Sequence, residues 1–108
     1  MLNLFPLLDS IEKADTNRVG TYVRSRGGMM TYMLLTCTDR LAAAIVDAGV
    51  SNMFSLAKER PEMEDVWEQL IPDYHSKKNV ALKERSVLFW PEEMNQDTPI
   101  FILHGSGD

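Results

Sequence analysis

The chain has 108 residues, 44% of them apolar and 25% charged, which is the composition of one globular domain rather than of a disordered or collagen-like segment. Eleven basic residues against sixteen acidic ones leave a net charge of −5, the opposite of the basic footprint that nucleic-acid binding requires. A single cysteine, Cys37, excludes an intrachain disulfide and a CxxC metal site, and two histidines cannot build a His-rich metal cluster, so no metal and no cofactor is expected.

In chain order, the first expected element is a helix over Leu2–Lys13, ending near Ala14, with Leu4, Leu7, Leu8 and Ile11 at helical spacing. Pro6 falls in its first turns, where proline is tolerated. This apolar start has no basic flank and no small-residue cleavage site, so it does not read as a signal peptide. No run approaches the ~20 apolar residues that a membrane helix needs, and a cytoplasmic setting away from membranes is expected. Asp15-Thr16-Asn17 signals a turn. Arg18–Val23 reads as a strand, Met29–Thr38 as a helix that is apolar on most of its surface, and Leu41–Val46 as a strand buried on both faces.

Residues 51–94 are helical in pattern and are broken by Pro61, Pro72 and Pro91. Met63, Val66, Trp67, Leu70 and Ile71 fit one amphipathic helix, with Glu62, Glu64, Asp65 and Glu68 as its wet face. Pro99–Leu103 reads as a third buried strand. Strand, helix, strand, helices, strand is the alternation of a parallel α/β sheet.

The residues with chemical potential lie at the first strand–helix junction, Arg24-Ser25-Arg26-Gly27-Gly28. A serine on that turn projects at the carboxyl edge of the sheet, where open α/β folds bind ligands. The N–H of Arg26 can face a developing oxyanion, and the helix N-terminus adds partial positive charge. The pattern is the second half of a G-x-S-x-G elbow, with Val23 where the first glycine belongs. A helix N-cap role explains a serine at the same place equally well. Cys37 is expected to be a buried thiol, and Met29, Met30 and Met33 core residues. His75 is expected to be solvent-exposed, His104 a packed structural residue, and Asp47 a solvated or capping carboxylate.

Asp15 to Gly20 followed by Ser25-Arg26-Gly27-Gly28-Met29-Met30-Thr31-Tyr32 resembles the α/β-hydrolases of the prolyl oligopeptidase, or S9 peptidase, type. Gly49-Val50-Ser51, Pro72-Asp73-Tyr74, Glu84-Arg85-Ser86 and the closing Thr98-Pro99-Ile100-Phe101-Ile102-Leu103-His104-Gly105 fit in order and spacing. The resemblance covers nearly the whole chain. It implies a partial α/β-hydrolase fold over residues 1–108, with about three parallel strands, flanking helices and a helical insertion at about 51–94. It also implies that Ser25 matches the nucleophile, that the Arg26 N–H matches one oxyanion donor, and that Asp108 matches the triad acid. The family's triad histidine and second oxyanion donor find no counterpart here, so the chain alone is expected to be inactive toward a peptide or ester. Val23 departs from the family pattern and is expected to distort the elbow or push the helix outward. The alternative is a non-catalytic oligomeric or interaction module derived from a truncated hydrolase. In either case unpaired sheet edges lead to the expectation of a homodimer or another homo-oligomer.

Overall fold

The computed structural model describes residues 3–107. Helix α1 (Leu4–Asp9) leads to β1 (Val19–Arg24), α2 (Arg26–Leu35) and β2 (Leu41–Asp47). Three helices follow, α3 (Met53–Glu59), α4 (Met63–Leu70) and α5 (Tyr74–Glu84), then two short 3-10 turns and β3 (Ile100–Leu103). The strands form one sheet in the order β1-β2-β3, and both pairings are parallel. This is a partial α/β fold.

The strand boundaries lie within one residue of the expected ones, and Pro99 stands outside β3 although its carbonyl still accepts from the Ala44 N–H. α1 is shorter than expected. The Ser10 hydroxyl donates to the Leu7 carbonyl at 2.6 Å, and a tight turn takes over, leaving Ile11 46% exposed. The only fully buried residue of α1 is Phe5, which packs with Leu34, Leu35 and Leu41 and carries the Arg40 guanidinium over its ring.

The core lies on one side of the sheet. α2 buries Tyr32, Leu34 and Leu35 against it, and β2 contributes Leu41, Ala44 and Val46. The opposite face is open, which corrects two expectations. β2 is buried on one face only, since Ala42 and Ala43 are exposed. In β3, Phe101 and Leu103 on the open face are 61% and 41% exposed, and Ile102, in register with the core residue Val46, is 58% exposed at the sheet edge, so the third strand is not buried. An apolar run marks a strand's suitability for burial, and a sheet with one covered side leaves part of it in water.

The prolines divide the region between β2 and β3 as expected: α3 ends before Pro61, α4 ends before Pro72, and Pro91 opens a 3-10 turn. Asn52 caps α3, its side-chain carbonyl accepting from the N–H groups of Phe54 and Ser55. Met53, Trp67, Tyr74 and Leu82 form a second core among these helices. α4 buries Trp67 alone, leaving Val66 and Leu70 in contact with water. Ser86, fully buried, accepts from the Met53 N–H and donates to the Leu82 carbonyl, tying α3 to the end of α5.

The acidic face of α4 does more than keep the helix solvated. Glu64 accepts from the Tyr74 hydroxyl at 2.9 Å and pairs with Lys78, while Glu68 pairs with His75 at 2.7 Å. The Lys78 and Tyr74 hydrogen bonds hold the Glu64 carboxyl below the usual carboxylate range. Burial, reinforced by the hydrogen bond to Glu64, pushes the Tyr74 phenol up to about 12. His75 is exposed, as expected.

Candidate active site

The candidate site is the turn from β1 into α2. Ser25 sits there with φ 55° and ψ −117°, one of three non-glycine residues at positive φ among the described residues. That backbone region belongs to glycine, because a Cβ crowds the neighbouring peptide there, and occupying it with another residue costs on the order of 1–3 kcal/mol. The surroundings hold it in place. The Ser25 N–H donates to the Asp47 carbonyl at 3.0 Å, and the Ser25 carbonyl accepts from the Gly28 N–H at 3.0 Å and from the Val50 N–H at 3.4 Å. The end of β1 is thereby fastened to the end of β2 and to the loop after it.

Ser25 occupies the N-cap position of α2, but its side chain makes no capping hydrogen bond. It is exposed, with no hydrogen-bond partner for its hydroxyl among the described residues. The capping role therefore does not account for a serine here. Arg26 is the first residue of α2, and no acidic residue lies in that helix's first turn.

Glycines let α2 approach the sheet. A Cβ on Gly28 would lie 2.7 Å from the Gly49 Cα and 2.7 Å from the Val46 Cγ1. A Cβ on Gly27 would lie 3.0 Å from the Cβ of Val23. Val23, expected to distort the turn or push the helix outward, lies against the space that Gly27 leaves empty. Its branched side chain is half-buried and joins the cluster of Tyr32, Val46 and Val87.

The carboxyl ends of the strands are held level. The Ala48 N–H donates to the Leu103 carbonyl at 2.7 Å, beside the Ser25-to-Asp47 bond. Asp47 was expected to be a solvated or capping carboxylate; its side chain is 30% exposed and lies 3.8 Å from the Arg24 guanidinium and 3.5 Å from the Tyr22 hydroxyl. Sequence reasoning missed the part that Asp47, Ala48 and Gly49 play in fixing the turn. Ala48 is itself at positive φ, 49°, and the signal available in the sequence was Gly49, directly after an apolar run.

The remaining candidates are dispersed. His75 is on α5, paired with Glu68, and His104 is an exposed residue directly after β3, not a packed one. Neither hydrogen-bonds Ser25. Asp108 lies outside the described residues. Cys37 is exposed, not buried, because α2 stops at Leu35 and the chain turns outward before it reaches the thiol. It lines a cleft of about 550 Å³ with Met33, Val80, Phe89 and Trp90, a cleft whose lining does not include Ser25. Met30 and Met33 are 41% and 36% exposed, so only Met29 of the three packs into a core cluster. Among the described residues no group of three acidic, histidine or cysteine side chains could hold a metal ion, and no helix is long and apolar enough to cross a membrane.

A parallel sheet, a serine at positive φ in the first strand–helix turn and a glycine-lined helix start are the marks of a serine-hydrolase-like α/β fold. The model of the prolyl oligopeptidase family, Peptidase_S9, matches residues 7–108, and the chain belongs to that family. No curated protein and no solved structure matches it.

Proposed function

We propose that the chain is the nucleophile-bearing segment of a serine hydrolase acting on a peptide or ester, with residues 51–94 as a helical insertion. In this reading Ser25 attacks the carbonyl carbon and the Arg26 N–H donates to the oxyanion. Asp108 orients the histidine that serves as the base. What carries the reading is the strained backbone of Ser25 in an exposed turn that the side chain does nothing to stabilise. Strain held by its surroundings at a reactive group is the pattern expected of a functional position. The family match supports it.

A serine hydroxyl attacks poorly without a base to take its proton. Neither histidine of the chain reaches Ser25, so the isolated chain is expected to hydrolyse p-nitrophenyl acetate no faster than its Ser25→Ala variant. A rate clearly above that control would show that the chain provides its own base and would overturn the expectation of inactivity.

A second reading, a non-catalytic homo-oligomeric module, is favoured by the open face of the sheet. Register places Tyr22, Ile45 and Phe101 in one row across the three strands. Tyr22, Phe101 and Leu103 of that face together leave on the order of 350 Å² of surface in water, under half of the ~800 Å² that each partner of a stable complex buries. β3 is also an edge. The carbonyls of Pro99 and Leu103 accept from β2, so the backbone groups of Ile100 and Ile102 turn outward. Antiparallel pairing of β3 with β3 of a second copy about a two-fold axis would satisfy those groups and begin to cover the row. Sedimentation equilibrium at micromolar concentration is expected to give a dimer that Phe101→Lys dissociates. A 12.3 kDa monomer at all concentrations would reject this reading.

A further inference from the structure

We propose that Arg24 and Arg26 make the Ser25 site selective for substrates that carry a carboxylate close to the scissile carbonyl. This rests on the reading of Ser25 as the nucleophile position. The two arginines flank the serine directly, one as the last residue of β1 and the other as the first of α2, and both are exposed. Arg24 has 77% of its side chain in water, and its nearest carboxylate, Asp47, is 3.8 Å away, too far for a close charge-assisted hydrogen bond. Arg26 makes no ion pair among the described residues. By contrast, Arg18, Arg40 and Arg60 each hold a carboxylate at 2.7–2.9 Å. Neither guanidinium beside Ser25 holds a carboxylate at hydrogen-bond distance among the described residues, and both keep donors for one.

Their setting runs against the rest of the molecule. The chain carries a net charge of −5, yet Ser25 lies between two cations with a single carboxylate beside them among the described residues. Guanidinium is the side chain best shaped to grip a carboxylate through paired N–H donors. An anionic group held there would bring its neighbouring carbonyl to Ser25. The class of substrate is therefore an acyl compound or peptide with a carboxylate adjacent to the bond cleaved. Both a chain-terminal carboxylate and an acidic side chain supply that chemistry.

The test reads binding, so it does not depend on turnover. Amide ¹H–¹⁵N spectra of the chain are recorded during titration with N-acetylglycine, with its carboxamide N-acetylglycinamide, and with N-acetyl-aspartyl α-amide. The two carboxylates separate the terminal from the side-chain source. At low salt the better of the two carboxylates is expected to shift the Arg24–Gly27 amides and to bind about fivefold more tightly than the carboxamide, the size expected for solvent-exposed charge pairs. The preference is expected to disappear in an Arg24→Gln/Arg26→Gln variant whose circular dichroism is unchanged, and to persist in Ser25→Ala. Equal binding of carboxylate and carboxamide, shifts mapping elsewhere, or a preference that survives loss of both arginines would overturn the proposal. So would loss of the preference in Ser25→Ala, which would assign recognition to the hydroxyl. The nucleophile reading is judged separately, by the stability of Ser25→Gly.

Discussion

Gly28→Ala is expected to destabilise the fold by about 3 kcal/mol, the upper end of what inserting a methyl group into a packed interior costs. Alanine is normally the better helix former of the two, by about 1 kcal/mol, so propensity alone predicts a gain. Packing reverses the sign. The new Cβ would lie 2.7 Å from the Gly49 Cα and 2.7 Å from the Val46 Cγ1. Neither neighbour is the free end of a long side chain. Gly49 is backbone in a loop whose preceding residue, Ala48, is already at positive φ, and Val46 is fully buried in the central strand. α2 must therefore lift away from the sheet, which loosens the packing of Tyr32, Leu34 and Leu35. Urea denaturation is the measurement. A midpoint equal to or above that of the unaltered chain would show that α2 does not approach the sheet as closely as described.

Gly28 also illustrates what was legible in the sequence. The paired glycines after Ser25 announced a close helix start, and the order of strands and helices announced a parallel sheet; both stand. The partner of that close approach, Gly49, lies twenty-one positions away and could be identified only once β2 had brought it back. The place of Val23 in the packing was hidden for a related reason. Comparison with a glycine pattern says that a branched residue is foreign there, but only the fold shows that it fills the space over Gly27. Phe101, Ile102 and Leu103 form as apolar a run as β2, and nothing local distinguishes an open sheet face from a covered one. Cys37 turned out exposed because a helix boundary fell two residues before it, and such boundaries are the least certain element of any pattern. The link between Tyr74 and Glu64 joins two helices across a proline break, where periodicity carries no information.

The site divides along the same line. The turn at Ser25 and Arg26 was legible because a strand–helix turn is a local object, written in five consecutive residues. The groups that hold the turn were not. The Asp47 carbonyl and the Val50 N–H act through backbone atoms that every residue possesses, so no choice of side chain announces them.

The account stands on Ser25 being kept in a strained conformation that serves chemistry rather than folding, and the stability of two substitutions there measures this most directly. Glycine reaches φ 55°, ψ −117° without the Cβ penalty, and relief of that strain outweighs the greater freedom glycine has in the unfolded chain. Ser25→Gly is therefore expected to stabilise the fold by about 1 kcal/mol, raising Tm by about 4–8 °C for a domain of this size. Ser25→Ala keeps the Cβ and removes a hydroxyl with no partner, so its Tm should stay close to that of the unaltered chain. An ordinary N-cap serine gives another result: alanine lowers stability by about 1 kcal/mol and glycine by a few tenths. Melting of the three proteins side by side decides between them. A higher Tm for Ser25→Gly with an unchanged Ser25→Ala is the result predicted, and a loss of stability in both variants would contradict the account.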